Sequence, residues 1–401
     1  MTIKSKKNLL IFVNNIYSSL LMASFLLQKK KFNKNVYIII EKRYSDGKIN
    51  FEFTEQYSKL IKLIFTTIGF NNIFFYNRPK TYEGFSLKNI FKFSKIKKTN
   101  LEYRNNLLLF IKSNKINIKL VSEAWFTNDL ISKIFLNKVT CKIIYFFHGL
   151  GVIMILKKKN LFGKSIDIAK HYINHYVYNI YFFRNKKDIT YVNFFSKDYN
   201  QNLFTRPMTI KKDIYKNILL KISNNFKKIR FEKKILLITD NINLQKFNRN
   251  QVKIHSKFYI KSLVEYLNSQ KNTKVKNIQF LFKWKSSVPL IHKKIFLNEF
   301  KNKGIIAYNV DDLLDQYVPL EFLLPNLKPA IVTSNYSSIN FIITHLFPKI
   351  KILNTQAIYK PFEKEYFNYH NKLNLNHLLK NSEKIKKMLN KIPCNFSVKL
   401  N

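Results

Sequence analysis

Four short stretches place chemically capable side chains at the end of an apolar run or at a helix start. In Tyr145-Phe146-Phe147-His148-Gly149-Leu150-Gly151 a strand-like run feeds His-Gly-x-Gly. His148 titrates near neutrality and suits proton transfer, while Gly149 and Gly151 let the backbone turn sharply and approach a ligand. A loop histidine bonded to backbone would satisfy the same residues. In Phe282-Lys283-Trp284-Lys285-Ser286-Ser287 one or both lysines can meet a phosphate, or serve only as a Lys-rich loop. In Val332-Thr333-Ser334-Asn335-Tyr336-Ser337-Ser338 a strand enters a helix through hydroxyl residues. Capping explains one serine; the free N–H groups and the helix dipole there also make an anion site. In Val318-Pro319-Leu320-Glu321 the proline suits the first helical turn and Glu321 the positive end of the dipole. That structural reading is complete in itself, and the functional one has Glu321 holding a ribose hydroxyl.

Several chemistries find no motif. There is no GxxxxGK[ST], GxGxxG or HExxH, and no DxD pair to hold a metal under a diphosphate. Asp311, Asp312 and Asp315 cluster just ahead of a predicted helix, whose first turn they are expected to serve. No metal site and no resident cofactor are expected.

The elements that must position these residues alternate along the chain. Asn8 to Val13 reads as a strand, Ile16 to Lys30 as a helix and Val36 to Glu41 as a second strand. Further strand-like runs are Asn72 to Tyr76, Asn117 to Val121, Lys142 to Phe147 and Ile189 to Phe194, with helical patterns at Glu55 to Phe65 and Asn128 to Leu136. Such alternation predicts a mostly parallel sheet covered on both faces. Ile210 to Phe231 is Lys- and Asn-rich without a clear strand and is the expected interdomain connection. The alternation then restarts: strands at Lys234 to Thr239, Ile278 to Trp284, Ile305 to Tyr308, Ala330 to Thr333 and Ile350 to Leu353, and helices at Phe258 to Asn268, Pro319 to Leu324 and Ser338 to Leu346. The expected fold class is α/β, two Rossmann-like domains facing a central cleft. Residues 1–215 form an acceptor-side domain, 232–370 a nucleotide-sugar-binding domain and 371–401 a helical tail.

The bulk numbers agree with two domains: 401 residues exceed one ordinary core, and 46% apolar residues suffice to bury two. Leu9 to Leu27 follows three lysines and approaches membrane length, but Asn14, Asn15, Tyr17, Ser18 and Ser19 interrupt it, so strand, turn and helix are expected. Cys141 and Cys394 form neither a disulfide framework nor a zinc spacing, which fits a reducing compartment. A net charge of +48 points towards anionic partners, yet only Arg43, Arg78, Arg104, Arg184, Arg206, Arg230 and Arg249 among the 71 basic residues are arginine. Arginine is the better phosphate fork and base reader, so nucleic acid is not the expected partner. A nucleotide-sugar, an acidic glycan or an anionic membrane surface fits better.

Three stretches together resemble the bacterial polysialyltransferase and lipooligosaccharide sialyltransferase group, two-domain GT-B enzymes that use CMP-sialic acid. They are the opening Asn8-Leu9-Leu10-Ile11-Phe12-Val13 strand with its helix, the Pro319-Leu320-Glu321 helix start, and the Ser337-Ser338 turn after Ala330 to Ser334. Where the group has an acidic pair before a Gly this chain departs with Phe147-His148-Gly149, and where it has a His-Pro this chain departs with Lys285-Ser286. The resemblance therefore implies a glycosyltransferase with His148 as catalytic base and Lys285 steadying the departing phosphate. Gly149, Lys283, Glu321, Ser334, Ser337 and Ser338 would bind the donor. It further implies a CMP-sugar as donor substrate, an oligosaccharide or glycolipid acceptor, no divalent ion, and a cytoplasmic location with peripheral contact to the inner face of the plasma membrane. The two departures also fit a different donor or a catalytically degenerate glycan- or membrane-binding member. The CDP-glycerol glycerophosphotransferase group is similar in its HG turn and in Tyr336-Ser337-Ser338, and departs at Asn335 and at the missing His-Pro.

Overall fold

The computed structural model describes residues 9–13, 16–28, 36–43, 51–78, 92–114, 119–123, 143–146, 189–193, 207–239, 247–270, 275–284, 288–314, 318–334, 338–354 and 358. The chain divides into two compact units, Met1–Ile218 and Leu219–Asn401.

The first unit is built on a seven-stranded sheet: β1 (Leu9–Val13), β2 (Val36–Arg43), β3 (Ile73–Arg78), β4 (Lys119–Glu123), β5 (Ile143–Phe146), β6 (Ile189–Asn193) and β7 (Pro207–Thr209). Their order across the sheet is β3-β2-β1-β4-β5-β6-β7, and every neighbouring pair is parallel. Ile11 sits opposite Ile38 on one side and Val121 on the other. Its described helices are α1 (Ile16–Gln28), α2 (Phe51–Thr67) and α3 (Phe93–Ser113). Strands buried on both faces must be apolar throughout, as Ile38, Ile39 and Ile40 are. α1 explains how an interrupted apolar run packs in a protein core. Ser18, Ser19 and Ser24 are buried with it, and the Ser24 hydroxyl donates to the Leu20 carbonyl at 2.8 Å. Among the described residues no helix is long and apolar enough to cross a membrane.

The division between the units falls inside α4 (Lys212–Ser223), in the stretch the sequence marked only as a strandless connection. Tyr215, Ile218, Leu219 and Ile222 are buried at helical spacing, so apolar periodicity survives among the lysines.

The second unit holds β8 (Lys234–Ile238), β9 (Ile278–Phe282), β10 (Ala307–Asn309), β11 (Ile331–Ser334) and β12 (Lys351–Asn354), in the order β10-β9-β8-β11-β12, again all parallel. Between them run α5 (Arg249–Ser269), α6 (Leu290–Asn302), α7 (Val310–Leu313), α8 (Leu320–Leu327) and α9 (Ser338–Leu346). α5 starts at a capping box in which Asn248 and Gln251 exchange side-chain to backbone bonds of 2.9 Å. Its core is aromatic. Phe296 of α6 packs against His255, Tyr259, Phe282, Trp284 and Phe300 at centroid distances of 5.3–6.1 Å. Both units are thus Rossmann-like α/β layers, the fold class expected. The helical patterns at Asn128 to Leu136 and in the tail from residue 371 lie outside the described residues.

Candidate functional site

In a parallel sheet whose first strand is central, the chain crosses to one side and then to the other, and the carboxyl ends of the strands open where that direction reverses. In the second unit this point lies between β8 and β11. There Thr239, just past β8, donates its hydroxyl to the Thr333 carbonyl at 2.8 Å, and its N–H meets the same carbonyl at 3.1 Å. The Thr333 hydroxyl lies 3.1 Å from the Tyr259 hydroxyl. These bonds tie β8, β11 and α5 together under Ser334, the buried last residue of β11. α9 then begins at Ser338, four residues after the end of β11.

Lys283 follows β9 directly. Its N–H is bonded to the Ile238 carbonyl at 3.0 Å, which fixes it beside the end of β8. The side chain is only 4% exposed, and its ammonium meets Asp311 Oδ1 at 2.5 Å. The sequence places Asp311 ahead of the helix at Pro319, whose first turn it would serve; the structure instead puts it inside α7, a separate helix, with its carboxylate turned to the lysine to complete a buried ion pair from the neighbouring strand end. Asn309 holds that turn: it accepts from the Asp311 N–H at 3.4 Å and donates to Asp312 Oδ1 at 2.7 Å. Sequence spacing cannot show this pair, because 28 residues separate its members. The sheet order that brings β10 beside β9 is what joins them.

Glu321 stands in the first turn of α8, behind the N-cap Pro319, as its sequence position predicts. Burial pushes its carboxyl above the ordinary value, opposed by a backbone hydrogen bond and by the charge of Lys283. Burial likewise pushes the Lys283 ammonium down to about 8, against the charge and hydrogen bond of Asp311; Lys293 adds to the lowering, and Glu321 opposes it. Lys283, Asp311 and Glu321 therefore form one electrostatic group at the sheet's carboxyl edge.

Of the sequence candidates, the structure brings Lys283, Glu321 and Ser334 to this edge, and Ser338 opens α9. His148, Gly149, Lys285 and Ser337 lie outside the described residues. Beyond the candidates, the edge contributes Asp311, Asn309, Thr239 and the Thr333–Tyr259 pair. No cluster of three or more His, Cys, Asp or Glu side chains suited to a metal ion occurs among the described residues.

No protein family and no curated protein matches the sequence. Solved structures do show a likeness in fold. UDP-GlcNAc 2-epimerase from Neisseria meningitidis bound to UDP-GlcNAc is 12% identical over 91% of this chain and 93% of its own, with a TM-score of 0.49. A Staphylococcus aureus MnaA–UDP co-structure is 9% identical over 87% of this chain and 78% of its own, with a TM-score of 0.45. The sialyltransferase from Photobacterium damselae, in the region described as its GT-B domain, is 11% identical over 86% of this chain and 89% of its own, with a TM-score of 0.42. At such identities the likeness is one of fold alone.

Proposed function

We propose that the protein is a glycosyltransferase that moves sialic acid or a related sugar from a CMP-activated donor to a surface glycan, at a cytoplasmic site facing the membrane. One observation carries the reading: Lys283, Asp311, Glu321 and Ser334 converge on the carboxyl edge of the second sheet, beside the point where the strand order reverses. In this reading the helix start after Ser334, with Ser337 and Ser338, receives the donor phosphate through backbone N–H groups and the dipole. Glu321 accepts hydrogen bonds from ribose hydroxyls, and Gly149 admits the donor sugar close to the backbone. The acceptor hydroxyl oxygen attacks the anomeric carbon, the bond from that carbon to the phosphate oxygen breaks, and CMP leaves with the electron pair. His148 takes the hydroxyl proton, and Lys285 offsets the charge that develops on the phosphate, so the transfer requires no divalent ion.

The test is release of free nucleotide when purified protein meets CMP-sialic acid, with CDP-glycerol and a UDP-sugar in parallel. Release of CMP from CMP-sialic acid, abolished in His148→Ala and undiminished by a chelator, is expected. Release from CDP-glycerol alone would move the protein to glycerophosphate transfer. Silence with every donor would overturn the reading.

A further inference from the structure

The last rung between β2 and β3 pairs Arg43 with Arg78. Register partners on neighbouring strands stand about 4.8 Å apart, and like charges at such positions destabilise a sheet. A guanidinium cannot relieve the repulsion by losing its proton. The chain has seven arginines among its 71 basic residues, and two of the seven share this rung. The neighbouring charges leave the repulsion standing. Lys42 is engaged by α2: its ammonium meets Glu55 Oε1 at 2.5 Å and lies 4.8 Å from the centre of the Phe75 ring. Alternation along the strands puts positions 41, 43, 76 and 78 on the face opposite to Lys42. The acidic residue of β2 and β3 on that face is the buried Glu41, and one carboxylate against two guanidiniums leaves the face cationic.

The rung also overhangs the sheet. β1 ends at Val13, opposite Ile40, so β2 and β3 carry Arg43 and Arg78 three residues, about 10 Å, beyond it. They therefore flank the carboxyl edge, where parallel sheets bind their ligands, next to the strand at which the order reverses. From β2 to β5, the strand that leads to His148, is three strand spacings, about 14 Å, farther than one sugar ring spans.

We propose that Arg43 and Arg78 together bind an oxyanion, a carboxylate or a phosphate, carried by the acceptor glycan at least one sugar away from the hydroxyl that reacts. The proposal rests on the reading of the protein as a glycosyltransferase given above. The oxyanion supplies the negative charge that the rung lacks, and the planar guanidinium donors take its oxygens in pairs, which a lysine cannot do.

The experiment is a calorimetric titration of the full chain, without donor, at about 0.15 M salt, where charges farther off than about 8 Å are screened. The probes are a linear sialic acid trimer, its methyl ester, a phosphorylated maltotriose and maltotriose itself. R43Q/R78Q should weaken an anionic probe by about 10-fold or more for each arginine, the value of a hydrogen bond to a charged group. R43K/R78K should restore only part of the loss. K227Q/K228Q removes the same charge from two exposed lysines of the second unit and should leave the affinity unchanged. The thermal midpoint of R43Q/R78Q should not fall, because a repulsion is removed; if that variant does not fold, R43Q and R78Q singly carry the test. Arginine-dependent binding of the sialic acid trimer assigns a carboxylate, and of the phosphorylated maltotriose alone a phosphate. Unchanged affinity in the arginine variants, an equal loss in K227Q/K228Q, an ester that binds as tightly as the acid, or a wild-type protein that binds neither anionic probe overturns the proposal. Since no donor is present, a chain that releases no nucleotide from any donor sinks the proposed function while the titration still decides whether the two arginines bind an oxyanion.

Discussion

Replacing Asp311 by Asn removes one half of the buried pair without changing its shape. At 2.5 Å the attraction is about 7 kcal/mol at an effective dielectric of about 20, set against a desolvation penalty of several kcal/mol for each ion. With Asp311 present, burial already pushes the Lys283 ammonium down to about 8. Without it, the charge and hydrogen bond that hold the ammonium up are both gone, and the midpoint should fall by about two further units, so that the lysine is neutral near pH 7. At about 1.4 kcal/mol per unit the full shift is worth about 3 kcal/mol where both folded lysines are charged, below about pH 6, and about half of that at pH 7, where the variant's lysine is already neutral. The pH dependence follows from the wild-type values. Lys283 titrates near 10.5 unfolded and near 8 folded, so the unfolded chain holds the extra proton between them and wild-type stability rises with pH through that window. Below about 8 both states are charged and the penalty of burial is present in full. The cost of Asp311→Asn should therefore be greatest near about pH 6 and below, and shrink as pH rises through about 8, where the wild-type lysine also loses its charge. Urea unfolding followed by Trp284, adjacent to Lys283 and the sole tryptophan in a W125F background, reports on the unit concerned. K283M/D311L should be neutral or stabilising in the same assay. A loss below about 1 kcal/mol in D311N near pH 6, the ordinary size for a point substitution, or one that does not vary with pH, would refute this account of the pair.

Phe296→Ala empties the centre of the aromatic core and should cost about 3–5 kcal/mol in denaturant unfolding. Asn248→Ala removes the side-chain acceptor of the capping box and should cost about 1 kcal/mol, with Asn248→Gly closer to wild type in thermal unfolding. Glu321→Gln should weaken CMP binding by roughly 10-fold or more, the value of one hydrogen bond to a charged group. Wild-type CMP affinity should decline as pH falls through the raised Glu321 value, at a higher pH than for an ordinary carboxylate, because the anion is the better acceptor. Calorimetry across that range checks it, and the decline should be absent in E321Q.

Both Rossmann-like layers were legible because their strands are short apolar runs with few competing readings. Leu9–Val13, Lys234–Ile238 and Ile278–Phe282 fall within a residue or two of the expected bounds. Some helices were not. α4 hides its buried Tyr215, Ile218, Leu219 and Ile222 among lysines and asparagines, and α6 carries two exposed apolar residues, Leu290 and Ile291, that blur its stripe. Strand β7 has three residues and begins with a proline, too little for a period to be seen. At the site, Glu321 and Ser334 could be read from position alone, since each stands at a strand end or helix start. The partnership of Lys283 with Asp311 could not, because it depends on which strands become neighbours. The local capping role that a carboxylate near a helix start normally has was the simpler reading, and tertiary pairing overrode it.

The central place of β8 has a consequence for how the second unit is made. It is the first strand of its sheet to leave the ribosome, yet its two neighbours are β9 and β11, and β11 begins only at Ile331. Until then one side of an apolar strand, Ile235 to Ile238, has no backbone partner, and closure requires contacts far apart in sequence. Such pairing is slow and leaves an open edge exposed to other chains. Nascent chains stalled before Ile331 should consequently be the aggregation-prone species, and any chaperone dependence of this protein should be concentrated in that interval of synthesis.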